Sequence, residues 1–273
     1  MVSDILEVSS DWLALREGED ATARSGDLAA HIPPLLPHGR HTVHDLGSGT
    51  GSMMRWLAPL LPGPQTWVLH DWNEALTARA FDGPRPLDTD GAPIALRTSV
   101  GELDRLTAAD LGGASLVTAS ALLDVLTAAE AHAIVDACVL AGAPAFLSLS
   151  VTGEVELRPW DARDKAVGDA FNAHQRREVG GRRLLGRYAG PIVRGLFEQA
   201  GWRVRQARTS WHLGDHEPRL LREWFDGWVG AAEEQEPELV ETLGGYRELR
   251  GRHLDRGELS AVVYHLDVLA WPR

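Results

Sequence analysis

Cysteine is almost absent from this sequence, because its 273 residues include only one, Cys138. One cysteine cannot form a disulfide within the chain, which excludes a small disulfide-stapled scaffold. Cys138 shares a helical apolar spacing with Ile134, Val135 and Val139, so we expect a small core residue in a reducing compartment. A cytoplasmic location is the prediction that follows.

Long apolar runs and an excess of positive charge are also missing. The apolar stretches carry charges or are too short for a membrane span, and the first residues lack the basic region of a signal peptide, so neither segment is expected. Lys and Arg total 27 against 39 Asp and Glu, a formal charge of −12. Binding to DNA or RNA needs a basic surface, so neither is an expected partner. The arginine pairs at 176–177 and 182–183 are interpreted as a solvated face of a lid.

Metal-ligand patterns are scarce as well. His212 and His216 have a spacing that could suit a metal, but no third or fourth ligand lies near them in the sequence. Gly214 between them favours a turn. No metal site is predicted.

The sequence does contain a glycine-rich turn after an apolar strand. Residues 42–46 lead through Asp45 to Gly47, Gly49 and Gly51, and a helix-competent run follows. Glycines let the backbone turn tightly off a strand and approach a ligand closely. The helix start adds a local positive end. A carboxylate at Asp45 would repel a pyrophosphate and attract a cation.

Two other interpretations of this loop stay open. One is the dinucleotide-binding pattern G-x-G-x-x-G, although Ser52 stands where its third glycine is required. The other is a structural strand-to-helix turn that binds nothing.

Three further strand patterns follow the glycine loop. Residues 65–70 form a short buried strand that ends at Asp71, where doubly wound folds accept both ribose hydroxyls. Residues 93–100 lead to Glu102, and residues 114–120 form the next strand. An adenosine-type ligand is therefore predicted, without a choice between a dinucleotide and another nucleoside.

In order and spacing, the glycine loop and these strand ends resemble the motifs of class I S-adenosylmethionine (SAM) methyltransferases. The resemblance implies an α/β fold with a Rossmann-like sheet, a reversed last strand and helical lid insertions. It also implies SAM as the cofactor and a leading-helix arginine facing the methionine carboxylate, with Arg24 as first choice and Arg16 as second. The implied cofactor-binding residues are Arg24, Asp45, Gly47, Ser48, Gly49, Gly51, Asp71, Trp72, Glu102, Leu103, Ser120 and Leu122.

The chain is predicted to form one methyltransferase domain over residues 1–273. Its parts are a helical cap at 1–40, a SAM-binding core at 41–151, and substrate-lid insertions at 152–190 and 214–258. Further strands are predicted at 145–151, 202–207 and 260–270. A helix in the second insertion has an apolar face that would pack on the domain or form a dimer interface, so a homo-oligomer stays open; this face consists of Leu220, Leu221, Trp224, Phe225, Trp228 and Val229.

The expected reaction is in-line SN2 transfer of the SAM methyl group to a small molecule, helped by a general base. The first insertion supplies the candidate catalytic residues His174, Glu154 and Tyr188. Ten tryptophans are many for this length and favour a planar aromatic or indole-type acceptor. The predicted substrate-binding residues are Trp12, Trp160, Asn172, Gln175 and Trp211.

Other functions are kept open beside this one. A weaker similarity, outside the SAM motifs, is to methyltransferases of actinobacterial specialised metabolism. The alternative within the class is a protein or nucleic-acid methyltransferase. The alternatives outside it are an NAD(P)-dependent reductase and a non-catalytic SAM-binding regulator.

Overall fold

The computed structural model describes residues 8–103 and 106–273, which form ten helices and nine strands. The helices are α1 (Ser10–Ala23), α2 (Gly26–Ala29), α3 (Ser52–Leu57), α4 (Glu74–Arg79), α5 (Ala128–Ala141), α6 (Asp164–His174), α7 (Ala189–Gln199), α8 (Pro218–Gln235), α9 (Leu239–Thr242) and α10 (Tyr246–Asp255). The strands are β1 (His41–Leu46), β2 (Gln65–Asp71), β3 (Ala95–Val100), β4 (Leu116–Ser120), β5 (Ala145–Arg158), β6 (Glu178–Val179), β7 (Arg182–Arg183), β8 (Arg203–Leu213) and β9 (Ser260–Trp271).

Seven of the strands form one twisted sheet in the order β3-β2-β1-β4-β5-β9-β8. Neighbouring strands from β3 to β5 are parallel, whereas β9 is antiparallel to both β5 and β8. The chain order reverses between β1 and β4, where open α/β sheets bind ligands beyond their carboxyl ends. The predicted Rossmann-like sheet with a reversed last strand is confirmed.

Local sequence explains where several helices begin. Thr127 and Glu130 form a reciprocal capping box at the start of α5, which satisfies two backbone N–H groups that the helix itself leaves unpaired. Ser9 caps α1 and Asn73 caps α4 through their side chains. Gly142 ends α5 in the left-handed conformation.

The apolar core has three parts. One lies under α5 and α7, and includes Cys138 and Phe197. A second lies under α3 and includes Trp67 and Met53. The third joins the extended ends of β5, β8 and β9 to α6 and α8. The predicted apolar face of α8 belongs to this third core, so it packs within the chain.

The predicted end of the fifth strand is wrong by several residues. β5 was expected to end at residue 151, but it continues to Arg158 because its second half pairs with residues 260–265 of β9. β8 likewise extends beyond residue 207 to Leu213. The insertions therefore rest on an extension of the main sheet.

Two classes of feature are missing from the two ranges that the structure covers. No helix there combines the length and apolar character needed to cross a membrane. Those residues also contain no group of three or more His, Cys, Asp or Glu side chains that could hold a metal ion.

Candidate functional site

A cavity of about 320 Å³ opens at the carboxyl ends of the parallel strands, beneath α1. Its described wall contains all the predicted cofactor-binding residues except Arg24 and Gly51. α1 supplies Leu13, Arg16 and Asp20, and the segment after β4 supplies Ala121, Leu122, Val125 and Leu126. The cavity thus combines a polar edge of strand ends with an apolar wall.

The glycine loop forms the floor between β1 and α3. Gly47, Gly49 and Gly51 have φ angles of +60°, +52° and +84°, which side chains other than glycine rarely adopt. A Cβ on Gly47 would lie 2.7 Å from Leu122 Cδ1. Glycine at this position therefore permits both the turn and the close approach of the apolar wall.

Asp71 stands at the end of β2 with its carboxylate on the cavity wall. Its Oδ2 accepts a hydrogen bond from Gly49 N at 2.8 Å, and its Oδ1 accepts one from Asn73 N at 2.9 Å. Burial raises the pKa of Asp71, and these backbone donors act in the opposite direction. The carboxylate is held in a fixed orientation and keeps lone pairs for ligand hydroxyls.

Glu102 follows β3 and lies on the same wall with Leu103, while Trp72 follows Asp71 and is 45% exposed. The side chains after β2, β3 and β4 therefore meet around one space, as expected for parallel strands that end at one edge.

Asp45 is the most deeply buried acid of the cavity wall, with 1% exposure. Thr118 donates a hydrogen bond to its Oδ1 at 2.7 Å, whereas its Oδ2 has no partner among the described residues. Burial raises the pKa of Asp45 to about 7. A cationic group that reached Oδ2 would favour the ionised form.

Arg24 lies just behind the wall at the end of α1. Its Nη2 donates to Ser52 Oγ at 2.9 Å and to Ser120 Oγ at 3.1 Å, and Asp20 lies 3.9 Å away. Nη1 is buried and has no partner within the described chain. Burial lowers the pKa of Arg24, and the nearby Asp20 carboxylate opposes this effect.

Arg16 and Asp20 form a second polar group on α1. Arg16 Nε and Nη2 donate to the two oxygens of Asp20 at 3.0 and 3.1 Å. Trp211 Nε1 donates to Asp20 Oδ1 at 3.1 Å, and the Arg16 guanidinium lies 4.8 Å from the Trp211 ring centroid. Trp12 packs edge-on against the Trp211 ring. Both tryptophans therefore stand behind the wall.

None of the three predicted catalytic side chains lines the described wall of this cavity. His174 Nε2 bonds Glu234 of α8 at 3.2 Å, and burial lowers the pKa of His174. Glu154 is more than half exposed and pairs with Arg208. Tyr188 is 40% exposed, and its hydroxyl accepts from the adjacent Arg187. The geometry gives their catalytic assignment no support.

The remaining predicted substrate-binding residues also lie elsewhere. Trp160 is 72% exposed, and Asn172 Nδ2 donates to the carbonyl of Gly153 at 2.9 Å. Gln175 contacts the turn at Gly186. These side chains belong to the first insertion, residues 152–190. Among the described residues of that insertion, only Arg182 lines the cavity wall.

Several cavity residues escaped the sequence interpretation. Arg182 on β7 donates to both oxygens of Glu130 at 2.7 and 2.8 Å, across 52 positions of the chain. No local sequence pattern predicts such a contact. Asp20, which is not among the predicted residues, did carry a signal, since it lies four residues from Arg16 on the same helix face.

Comparison with known proteins finds no matching family model and no matching curated protein. Among solved structures, an O-methyltransferase family protein from Burkholderia thailandensis has 17% identity over 66% of this chain, with a TM-score of 0.43. The chain spans about half of that protein, 51% of its length. A cyclopropane synthase of Mycobacterium tuberculosis has 15% identity over 89% of this chain and 82% of its own, with a TM-score of 0.46.

A SAM-dependent methyltransferase from Geobacter sulfurreducens, solved with S-adenosylhomocysteine, has 13% identity over 98% of this chain and all of its own, with a TM-score of 0.42. Similarity this low does not show which ligand the present chain binds. The ligand is therefore inferred from the residues of its own cavity.

Proposed function

We propose that this protein is a SAM-dependent methyltransferase that acts on a small molecule. The observation that carries the proposal is the convergence of Asp45, Asp71 and Glu102 with the Gly47–Gly49 turn on one cavity. A nucleoside that carries cationic groups and no phosphate suits these three acids. A pyrophosphate would be repelled by the Asp45 carboxylate at the loop where dinucleotides bind.

The unpartnered atoms around the cavity fit the amino-acid end of SAM. Asp45 Oδ2 would accept from its ammonium group, and Arg24 Nη1 would donate to its carboxylate. Ser48 Oγ, also buried without a partner in the described chain, lies on the same loop. Buried polar atoms rarely stay unpaired, so a zwitterionic ligand would complete the hydrogen bonding of both charged side chains.

The nucleoside end has its own set of residues. Asp71 would accept from the ribose hydroxyls, and Glu102 would accept from the adenine amino group. Leu103 and Trp72 would pack against the purine ring. When bound, SAM supplies an activated methyl group, so the protein's task is to hold the acceptor in line and exclude water.

The acceptor in this proposal is a planar aromatic or indole-type metabolite, in the cytoplasm and in specialised metabolism. The choice of an aromatic acceptor is supported by the apolar wall of the cavity, because such walls favour flat apolar ligands. This wall consists of Ala121, Leu122, Val125 and Leu126. The roles of His174, Glu154 and Tyr188 as bases stay predictions. Reduced turnover in His174→Ala or Tyr188→Phe at unchanged cofactor affinity would support them.

The test is mass-spectrometric detection of methylated products after incubation with SAM and a mixed panel of indoles, phenols, amino acids and keto acids. We expect one added methyl group on an aromatic member, and less of this product with Asp71→Ala at a SAM concentration that does not saturate the variant. Methylation of aliphatic members alone would refute the aromatic acceptor. S-adenosylhomocysteine binding without any product would favour the non-catalytic regulator, and reduction by NADPH would favour the reductase.

A further inference from the structure

Arg16 presents an immobilised guanidinium to the cavity. Two of its nitrogens are engaged by Asp20 at 3.0 and 3.1 Å, and one of its faces lies 4.8 Å from the Trp211 ring centroid. Asp20 is itself fixed by Trp211 Nε1. Because the protein already restricts this side chain, a ligand that binds it loses little further conformational freedom.

The same guanidinium keeps donors in reserve. Arginine carries five N–H groups, and the hydrogen bonds to Asp20 use those on Nε and Nη2. Nη1 of Arg16 donates to no other group in the described ranges. The side chain is 14% exposed and lines the cavity. A ligand oxygen could therefore accept from Nη1.

The two arginines of the helical cap lie on opposite sides of Asp20. Oδ2 of Asp20 is 3.0 Å from Arg16 Nε and 3.9 Å from Arg24 Nη2. Arg24 reaches Ser52 and Ser120, beside the glycine loop and the end of β4. Arg16 instead lies on Trp211, in the extension of β8 that supports the lid. Arg16 therefore lies on the β8 side of Asp20, whereas Arg24 lies on the side of the glycine loop, where the methionine carboxylate is placed above.

We propose that Arg16 determines acceptor specificity by binding a carboxylate of the methyl acceptor through Nη1, with Asp20 as its positioning residue. A guanidinium can bridge two carboxylates through different edges, and such charge-assisted hydrogen bonds are strong and directional. The apolar wall at Leu122 and Val125 would hold the rest of the molecule. This inference rests on the proposed function, and it narrows the acceptor to an aromatic acid.

The experiment measures carboxylate preference in protein saturated with S-adenosylhomocysteine. Calorimetric titrations compare indole-3-acetate with indole-3-acetamide, and phenylacetate with phenylacetamide. In the unaltered protein, at least one acid should bind about tenfold more tightly than its amide, as expected for a charge-assisted contact. In Arg16→Met this preference should disappear, while S-adenosylhomocysteine affinity should fall by less than about tenfold, because Arg16 shares Asp20 with Arg24 but makes none of the contacts of Arg24 to Ser52 and Ser120.

Arg24→Met is the matched control, because it removes the other cap arginine. It should weaken S-adenosylhomocysteine by at least about tenfold, the value of a lost charged hydrogen bond. Arg16→Gln replaces Arg16→Met if the latter binds no S-adenosylhomocysteine. Glutamine keeps N–H donors for Asp20 without the positive charge, so it should also lose most of the preference.

Two results would overturn the inference while leaving the proposed function intact. One is the absence of any carboxylate preference in the unaltered protein. The other is an Arg16 variant that weakens S-adenosylhomocysteine as strongly as Arg24→Met and keeps the preference. A protein that binds no S-adenosylhomocysteine at all would overturn the proposed function, and this inference with it.

Discussion

Gly47 adopts its left-handed conformation directly beneath Leu122, so the turn and the apolar wall of the cavity meet at one residue. A side chain there would add backbone strain and push Leu122 toward the ligand. Gly195 offers the opposite case, because it lies inside α7 and a Cβ on it would have no neighbour within 4 Å.

We expect Gly47→Ala to lower the free energy of unfolding by about 1–2 kcal/mol, because alanine disfavours a positive φ. It should also weaken S-adenosylhomocysteine binding markedly. Gly195→Ala should leave binding unchanged and raise stability by up to about 1 kcal/mol. Chemical denaturation and calorimetry measure both. Equal effects of the two substitutions would contradict the role given to Gly47.

Asp45 makes cofactor affinity depend on pH. Its pKa of about 7 means that the buried carboxyl is largely protonated in weak acid, and a cationic ligand group binds only the ionised form well. Affinity for S-adenosylhomocysteine should rise up to tenfold per pH unit below about pH 7 and then level off. Asp45→Asn should flatten this profile. A flat profile in the unaltered protein would contradict contact between Asp45 and the ligand cation.

The same carboxyl has a linked effect on folding. Because its pKa is raised above the value in the unfolded chain, the folded state holds an extra proton between pH 3.8 and about 7. The contribution of Asp45 to stability is therefore fully present below this window and is lost as the pH rises through it.

For single residues, the sequence predicts those whose role depends on their neighbours along the chain. The glycines, Asp45 and Asp71 were recognisable because strand, turn and acid follow one another within a few positions. Arg182 was not, because its place in the cavity depends on Glu130 in a different element. His174 was assigned a catalytic role because its partner could not be predicted. Glu234 lies 60 residues away on α8, and no local pattern reveals that pairing.

Among the elements, β9 holds the helical cap against the sheet through one buried acid. Asp267 Oδ2 accepts from Ser25 N at 2.8 Å, and its Oδ1 accepts from Leu149 N at 2.7 Å. Ser25 follows Arg24 directly, so this contact fixes the backbone beside the cap arginine. Burial raises the pKa of Asp267 to about 6.

We expect Asp267→Ala to lower the free energy of unfolding by about 2–5 kcal/mol, since two buried N–H groups lose their acceptor. Asp267→Asn keeps one acceptor oxygen and should cost about half as much. Asp136→Ala, at an exposed position in α5, is the control and should stay within about 0.5 kcal/mol. Urea denaturation followed by fluorescence is the measurement. An unchanged midpoint for Asp267→Ala would show that the cap is held by other contacts.

Strand lengths show where prediction from local pattern fails at this scale. The sequence predicts β5 only to residue 151, and Thr152, Gly153 and Glu154 lower the apolar content beyond it. Pairing with β9 overrides that local preference and continues the strand to Arg158. The apolar spacing of α8 was strong enough to predict a helix, but only the folded chain shows that α6 and the sheet extension cover its apolar face.

For the whole molecule, the alternation of strands and helices predicts the α/β class, whereas the reversed last strand is implied only by the resemblance to class I methyltransferases. The shape of the cavity does not follow from these patterns. It needs α1 to cross the strand ends, and it needs the β6–β7 hairpin to bring Arg182 against Glu130. Both are long-range contacts between segments with little periodicity of their own.

The central claim is that this cavity takes a phosphate-free, cationic nucleoside. Calorimetric titration of the unaltered protein with S-adenosylhomocysteine, SAM, NADH and NADPH tests it most directly. We predict binding of the first two, no comparable binding of either dinucleotide, and a loss of about 1–3 kcal/mol for SAM in Asp71→Ala as the ribose hydroxyls lose a charged acceptor. Tight binding of NADPH, or unchanged SAM affinity in Asp71→Ala, would contradict the claim.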